Sequence, residues 1–134
     1  QSTITRLNVE DKITIFGPVP KLEVPIRLSQ HDVFLNTTNV DNTPVSVIEA
    51  MALGMCVVST DVGGIPYLLD DGHNALLVPP GDPEAMAAAV RRVLTEPGFA
   101  GTLSNNARTS ARLYDWDLIL PMWMKLLQNI AEGL

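Results

Sequence analysis

Apolar positions along this chain come in short blocks separated by turn-forming residues. Ile13, Thr14, Ile15 and Phe16 are β-branched or aromatic and are stopped by Gly17 and Pro18, so they predict a strand. A second strand is expected over residues 32–36, a third over 56–60, and a fourth over 75–78, closed by Pro79, Pro80 and Gly81. These runs are nearly continuous in apolar residues, the pattern of strands covered on both faces in a parallel sheet.

Helical signals fill the intervals. Residues 44–53 are good helix formers behind an early proline, Pro44. Asp82, Pro83 and Glu84 make a helix start: a cap, a proline at the first position and an acid near the positive dipole end. Met86, Ala89, Val90, Val93 and Leu94 then mark one apolar face, and Pro97 and Gly98 end the helix. A further helix is expected over about residues 101–113. Asp117 is placed to cap a last one that runs toward Ile130, with Pro121 near its start. Strands that alternate with helices predict an α/β, Rossmann-like architecture: a partial domain with a mostly parallel sheet of about four strands and C-terminal helices.

Composition narrows the class. The 134 residues fit one domain, and 46% hydrophobic against 18% charged residues excludes a disordered tail. A net charge of −6 argues against nonspecific nucleic-acid binding, which needs a cationic surface. No apolar run reaches about 18 residues, so no membrane span is expected. No basic-then-apolar leader opens the chain, which starts at Gln1. The single cysteine, Cys56, excludes an internal disulfide, reads as a buried small hydrophobe and fits a reducing, cytoplasmic setting.

Two segments carry candidate chemistry. Asp41 and Glu49 place two carboxylates eight residues apart, across a loop and the following helix. If the loop curls over the strand end, the helix N-terminus faces an anion, and Glu49 is placed to accept hydrogen bonds from vicinal hydroxyls. The plainer reading makes Asp41 a turn residue and Glu49 a solvated helix position. Gly63 and Gly64 follow the third strand and precede a short helix that starts near Pro66. Paired glycines permit positive φ and close ligand approach, as in an anion-binding nest, or simply a tight strand-to-helix turn. His31 and His73 lack metal-ligand spacing and read as solvated or capping groups. Trp116 and Trp123 read as packing anchors, because no basic stripe interleaves with them.

Taken together, Glu49-Ala50-Met51-Ala52-Leu53-Gly54, Val57-Val58-Ser59-Thr60-Asp61-Val62-Gly63-Gly64-Ile65-Pro66 and Ala75-Leu76-Leu77-Val78-Pro79-Pro80-Gly81-Asp82 resemble the C-terminal half of the family-4 retaining glycosyltransferases. The resemblance implies a GT-B fold, two Rossmann-like domains facing a cleft, with a nucleotide-sugar donor of UDP or GDP type held mainly by the C-terminal one. Asp41 and Glu49 fall on the family's pair of acids. The resemblance implies that Glu49 binds the donor ribose and that Asp41, the candidate catalytic residue, sits beside the transferred sugar. It implies that backbone groups of Thr43, Pro44, Val45 and Ser46 approach sugar and phosphate, and that the loop from Gly17 to Val19 lies along the nucleobase. Neither a metal nor another cofactor is implied. The sequence departs from the family in having Asp41 where Glu is usual, Asn42 and Pro44 where glycines are common, Cys56 where proline is frequent and Tyr67 where many relatives have Glu.

The family's domain has two further strands before the one at residues 13–16, with Arg and Lys that bind the diphosphate, and a separate N-terminal acceptor domain as partner. None of these is matched, so the chain reads as a piece of an enzyme, inactive by itself; the alternative is a noncatalytic, self-associating module. With those strands missing, the strands at 13–16 and 32–36 must either pair directly or leave open edges, and open edges lead to a homodimer or strand exchange. The apolar stretch 118–127 either covers this domain's own sheet or expects a partner.

Overall fold

Three short parallel strands organise the structure, a computed structural model that describes residues 3–133. They are β1 (Val33–Asn36), β2 (Cys56–Thr60) and β3 (Leu76–Val78), side by side in that order. Val33 stands opposite Cys56 and Asn36 opposite Ser59, while Thr60 stands opposite Val78. All five residues of β2 are buried, as the continuous apolar run predicts for a central strand covered on both faces.

Helices cover both faces. Short α1 (Thr3–Leu7) and α2 (Val24–Leu28) precede β1, and α3 (Val45–Leu53) joins β1 to β2. After β2 come α4 (Ile65–Leu68), β3, α5 (Pro83–Thr95), α6 (Phe99–Ala111) and α7 (Trp116–Ala131). One core gathers Val47, Ala50 and Met51 of α3 with Val57, Ile65, Leu68 and Ala107. The other gathers Cys56, Val58, Leu76 and Val78 with Ala89 and Val93 of α5 and Leu103 of α6. Successive residues of β2 thus feed opposite cores, as the two-residue period of a strand requires.

The caps follow the sequence closely. Asp82 accepts from the Ala85 N–H at 2.8 Å, with Pro83 at the first helical position. Gly54 ends α3 at φ +76°, donating to the carbonyls of Ala50 and Met51, a glycine-closed helix end. At α7 the cap is Asp115, not Asp117: its carboxylate accepts from the Asp117 N–H at 3.0 Å. Asp117 instead lies in the first turn, where its charge still meets the positive dipole end.

Three further expectations are corrected. The sheet has three strands rather than about four, because the extended residues 13–16 join no ladder. A strand needs a hydrogen-bonding neighbour, and no described strand pairs with this segment; Ile15 is 80% exposed. Among the described residues β1 pairs only with β2, which leaves its other edge open, the second of the two arrangements foreseen for it. Nor does the apolar C-terminal stretch cover this domain's sheet. No residue of α7 is buried, and Leu118, Met122, Trp123 and Leu126 are half exposed or more. Trp116, 73% exposed, is not a packing anchor. No helix of the described residues is long and apolar enough to cross a membrane.

Candidate functional site

Parallel strands end together, and the loops that leave their C-terminal ends meet there; in open α/β sheets that end is where ligands bind. Here the ends are tied to one another. Asn36 Nδ2 donates to Ser59 Oγ at 3.1 Å, a buried bond between β1 and β2. Ser59 Oγ donates onward to the Thr60 carbonyl at 3.1 Å. Thr60 Oγ1 reaches across to the Thr38 carbonyl at 2.6 Å, and the Asp61 N–H donates to the Val78 carbonyl at 2.8 Å.

Onto this end folds the loop from β1 to α3. Asp41 is half-buried, and its Oδ1 accepts from the N–H of Asn42 at 2.8 Å. Its carbonyl accepts from the Gly64 N–H at 3.1 Å. A Cβ on Gly63 would fall on the Asp41 carbonyl oxygen, and one on Gly64 on that of Asn42. The glycine pair is therefore required by the close approach of the two loops, and Gly63 also holds φ +55°. Sequence spacing left this turn as either a ligand nest or a tight turn; its described contacts are to the Asp41 loop.

The loop delivers α3, whose N-cap is Pro44 and whose first turn receives no side-chain cap. The first N–H groups of a helix lack intrahelical partners, so those of Val45 and Ser46 remain for an anion; Pro44 has no N–H to give. Val47 N–H already donates to the Pro44 carbonyl at 3.0 Å. Thr43 is exposed beside this end.

Glu49, half-buried in the second turn of α3, borders a cavity of about 430 Å³ with Arg108, Arg112, Tyr114 and Trp116. These four come from the end of α6, the turn of 3-10 helix at Arg112–Tyr114 and the start of α7. Sequence reasoning did not connect them with Glu49: they are about sixty residues away, and their only local signal is two arginines at i, i+4 spacing. Val19 lies elsewhere, in an apolar groove of about 320 Å³ with Phe16, Arg27, Phe34 and Met55. The Arg27 guanidinium stands 4.7 Å from the Phe16 ring centre and donates to Glu23 at 3.1 Å. Gly17, at φ +64°, has open space around its Cα. The structure thus joins Asp41 to the glycine turn and Glu49 to the two arginines. Val19's groove and Glu49's cavity share no lining residue.

The remaining singled-out residues have structural partners. His31 Nδ1 meets the Arg27 carbonyl at 2.8 Å, which makes it the donor. The His73 carbonyl accepts from Asn106 Nδ2 at 2.9 Å. Cys56 is buried with its Sγ 3.4 Å from the Ala100 carbonyl; burial, with the charge of Asp32, pushes its thiol pKa up.

A parallel sheet layered between helices, with an acid-bearing loop and an uncapped helix start at its C-terminal end, is a Rossmann-like architecture. A family model described as glycosyl transferases group 1 matches residues 1–96. The chain belongs to that family, and its fold is that of a GT-B glycosyltransferase fragment. It is similar to a D-inositol 3-phosphate glycosyltransferase of Streptomyces bingchenggensis, 30% identical over 84% of this chain and 25% of that protein. Sucrose-phosphate synthase from Thermosynechococcus elongatus superposes with a TM-score of 0.91 at 28% identity, over 98% of this chain and 33% of that one. Anabaena HepE in complex with UDP-glucose superposes with a TM-score of 0.79 at 25% identity, over 97% of this chain and 34% of that one. The chain therefore spans about a quarter to a third of the length of these relatives.

Proposed function

We propose that this chain is the donor-binding part of a retaining glycosyltransferase that takes a sugar from a UDP- or GDP-linked donor. Family membership supports sugar transfer, and a similar structure holds UDP-glucose. The observation that carries the reading is the placement of Glu49. Its carboxylate, one turn inside α3, has no hydrogen-bond partner among the described residues and opens onto a cavity that also holds Arg108 and Arg112.

In this reading Glu49 accepts from the ribose hydroxyls, the N–H groups of Val45 and Ser46 receive a phosphate oxygen, and Thr43 and Pro44 line the approach. Asp41 faces the sugar, with Oδ1 already held by Asn42 and Oδ2 free to accept. The loop from Gly17 to Val19 borders the base. Fixed N–H dipoles stabilise the charge that builds on the leaving diphosphate without reorganising as it forms. A separate acceptor-binding domain supplies the other wall of the cleft.

Calorimetry with UDP and GDP on the wild type and on Glu49→Ala tests this. Loss of a charge-assisted hydrogen bond costs about 1.5–3 kcal/mol of binding. Equal affinity in both proteins would remove Glu49 from the ribose.

A second reading, a self-associating module without activity, is favoured by the open edge of β1 and the bare apolar surface of α7. It is compatible with the first, because a donor-binding piece can carry both surfaces.

A further inference from the structure

We infer that the turn Gly63-Gly64 is a positioning element: it fixes where Asp41 stands while leaving Glu49 to α3. The inference rests on the reading of Asp41 as the residue beside the transferred sugar and adds the device that holds it there.

The loop between β1 and α3 bears no regular structure of its own apart from bends. Its fixed points come from β2 and the turn after it. Thr60 Oγ1 holds the Thr38 carbonyl at 2.6 Å, and the Gly64 N–H holds the Asp41 carbonyl at 3.1 Å. Both glycines let the turn lie directly on the backbone of Asp41 and Asn42, where any side chain would collide with carbonyl oxygens that cannot swing away as a flexible side chain can. The Asp41 carboxylate is in turn oriented by the Asn42 N–H at 2.8 Å. Backbone position thus passes from β2 through the glycine turn to one carboxylate oxygen. Glu49 is held differently: α3 is anchored through buried Val47, Ala50 and Met51, in a core that Ile65 also enters. The backbone contacts of the glycine turn thus fall on Asp41 and Asn42, while Glu49 is held by the packed face of α3, whose core the turn meets only through its neighbours Val62 and Ile65.

The test compares Gly64→Ala with wild type in the full chain by two measurements. The first is hydrogen exchange without ligand. Residues 37–43 should exchange at least about tenfold faster in the variant, while the amides of β2 and α3 keep their protection. Equal loss of protection in β2 and α3 would make the turn a general support of the fold and overturn the inference. The second is binding of UDP, GDP, UDP-glucose and GDP-mannose. UDP or GDP affinity should stay within about threefold, while any preference for the sugar-bearing form over the bare diphosphate falls by about fivefold or more. A parallel fall in both would also overturn it.

If the wild type binds none of the four ligands, the donor-binding reading fails on its own, and the exchange pattern still decides whether the turn sets the Asp41 loop. Should Gly64→Ala not fold, Thr60→Val removes the other tether with nearly the same shape, and Thr60→Ser restores the hydroxyl. Mobilisation of residues 37–43 by the valine, reversed by the serine, supports the inference; an unchanged loop in both counts against it.

Discussion

Arg108 occupies the space that a side chain on Gly54 would need. Its Nη2 donates to the Leu53 carbonyl at 3.0 Å, and a Cβ on Gly54 would strike its guanidinium. Ser104, one turn earlier on α6, donates to the Gly54 carbonyl at 2.6 Å. The carbonyl end of α3, the helix that carries Glu49, is thus closed by side chains of α6.

This relationship predicts a coupled pair. Gly54→Ala forces a left-handed φ on an L-residue and should cost about 1–2 kcal/mol. Arg108→Ala removes an exposed hydrogen bond and should cost about 1 kcal/mol. Because alanine at 108 also clears the collision, the double variant should lose less stability than the two single losses added. Urea unfolding of the four proteins measures this, and strict additivity would mean that the guanidinium does not constrain position 54.

A different dependence is expected at the sheet end. Asn36 and Ser59 are both buried, and Ser59 Oγ accepts from one neighbour while donating to another. Ser59→Ala leaves Asn36 Nδ2 without its acceptor in a dry place, a loss of about 1–3 kcal/mol despite the small change in volume. The denaturant midpoint should fall with an unchanged slope, and a midpoint equal to wild type would show that Asn36 finds another partner.

Sequence and structure agree where a signal is local. Asp82 with Pro83 marks a helix start in any context, and Cys56 to Thr60 reads as a buried strand because its own residues demand cover. Residues 13–16 have the same local quality and still form no strand, since pairing depends on a neighbour the local pattern cannot show. The contact between Gly64 and Asp41 joins positions 23 apart and depends on how two loops stack over the sheet. Glu49 was legible as a candidate acid; the arginines beside it were not, because only the packing of α6 on α3 brings them there.

The site as it stands should not turn over at an enzyme's pace. Asp41, the cavity at Glu49 and the groove at Val19 are separate features among the described residues, and the chain spans about a third of the similar solved structures. Donor hydrolysis or transfer by this chain should fall far below a kcat of about 10 per second. Turnover near that value with UDP-glucose or GDP-mannose would show that one domain suffices.

Cys56 gives a pH dependence. Burial raises its pKa in the folded chain. Above the ordinary thiol value of about 8.5, the unfolded chain releases this proton while the folded chain retains it, so the unfolded state gains and stability declines as pH rises. Below that value the contribution is constant. The difference in unfolding free energy between wild type and Cys56→Ala should therefore be flat up to about pH 8 and shrink toward pH 10. A difference that stays constant across this range would mean the thiol titrates alike in both states.

Self-association is the last expectation, and α7 points to its geometry. Leu118, Leu120, Met122, Trp123, Met124, Leu126, Leu127 and Ile130 are all half exposed or more, an apolar surface larger than single-chain proteins ordinarily leave in water. The helix carries one acid, Asp117, and one base, Lys125, on either side of Pro121. Two copies of α7 packed antiparallel about a two-fold axis near Pro121 bring each Asp117 toward the Lys125 of the other copy and bury both apolar faces. Light scattering at micromolar concentration should therefore report a dimer. Trp123→Glu should shift it to monomer by placing a charge in the buried face. Lys125→Glu should weaken it less, because rim charges contribute little to affinity. If the wild type is a monomer that binds no apolar dye, α7 is covered in some other way and the pairing is wrong. If Trp123→Glu remains a dimer, the open edge of β1 is the contact instead.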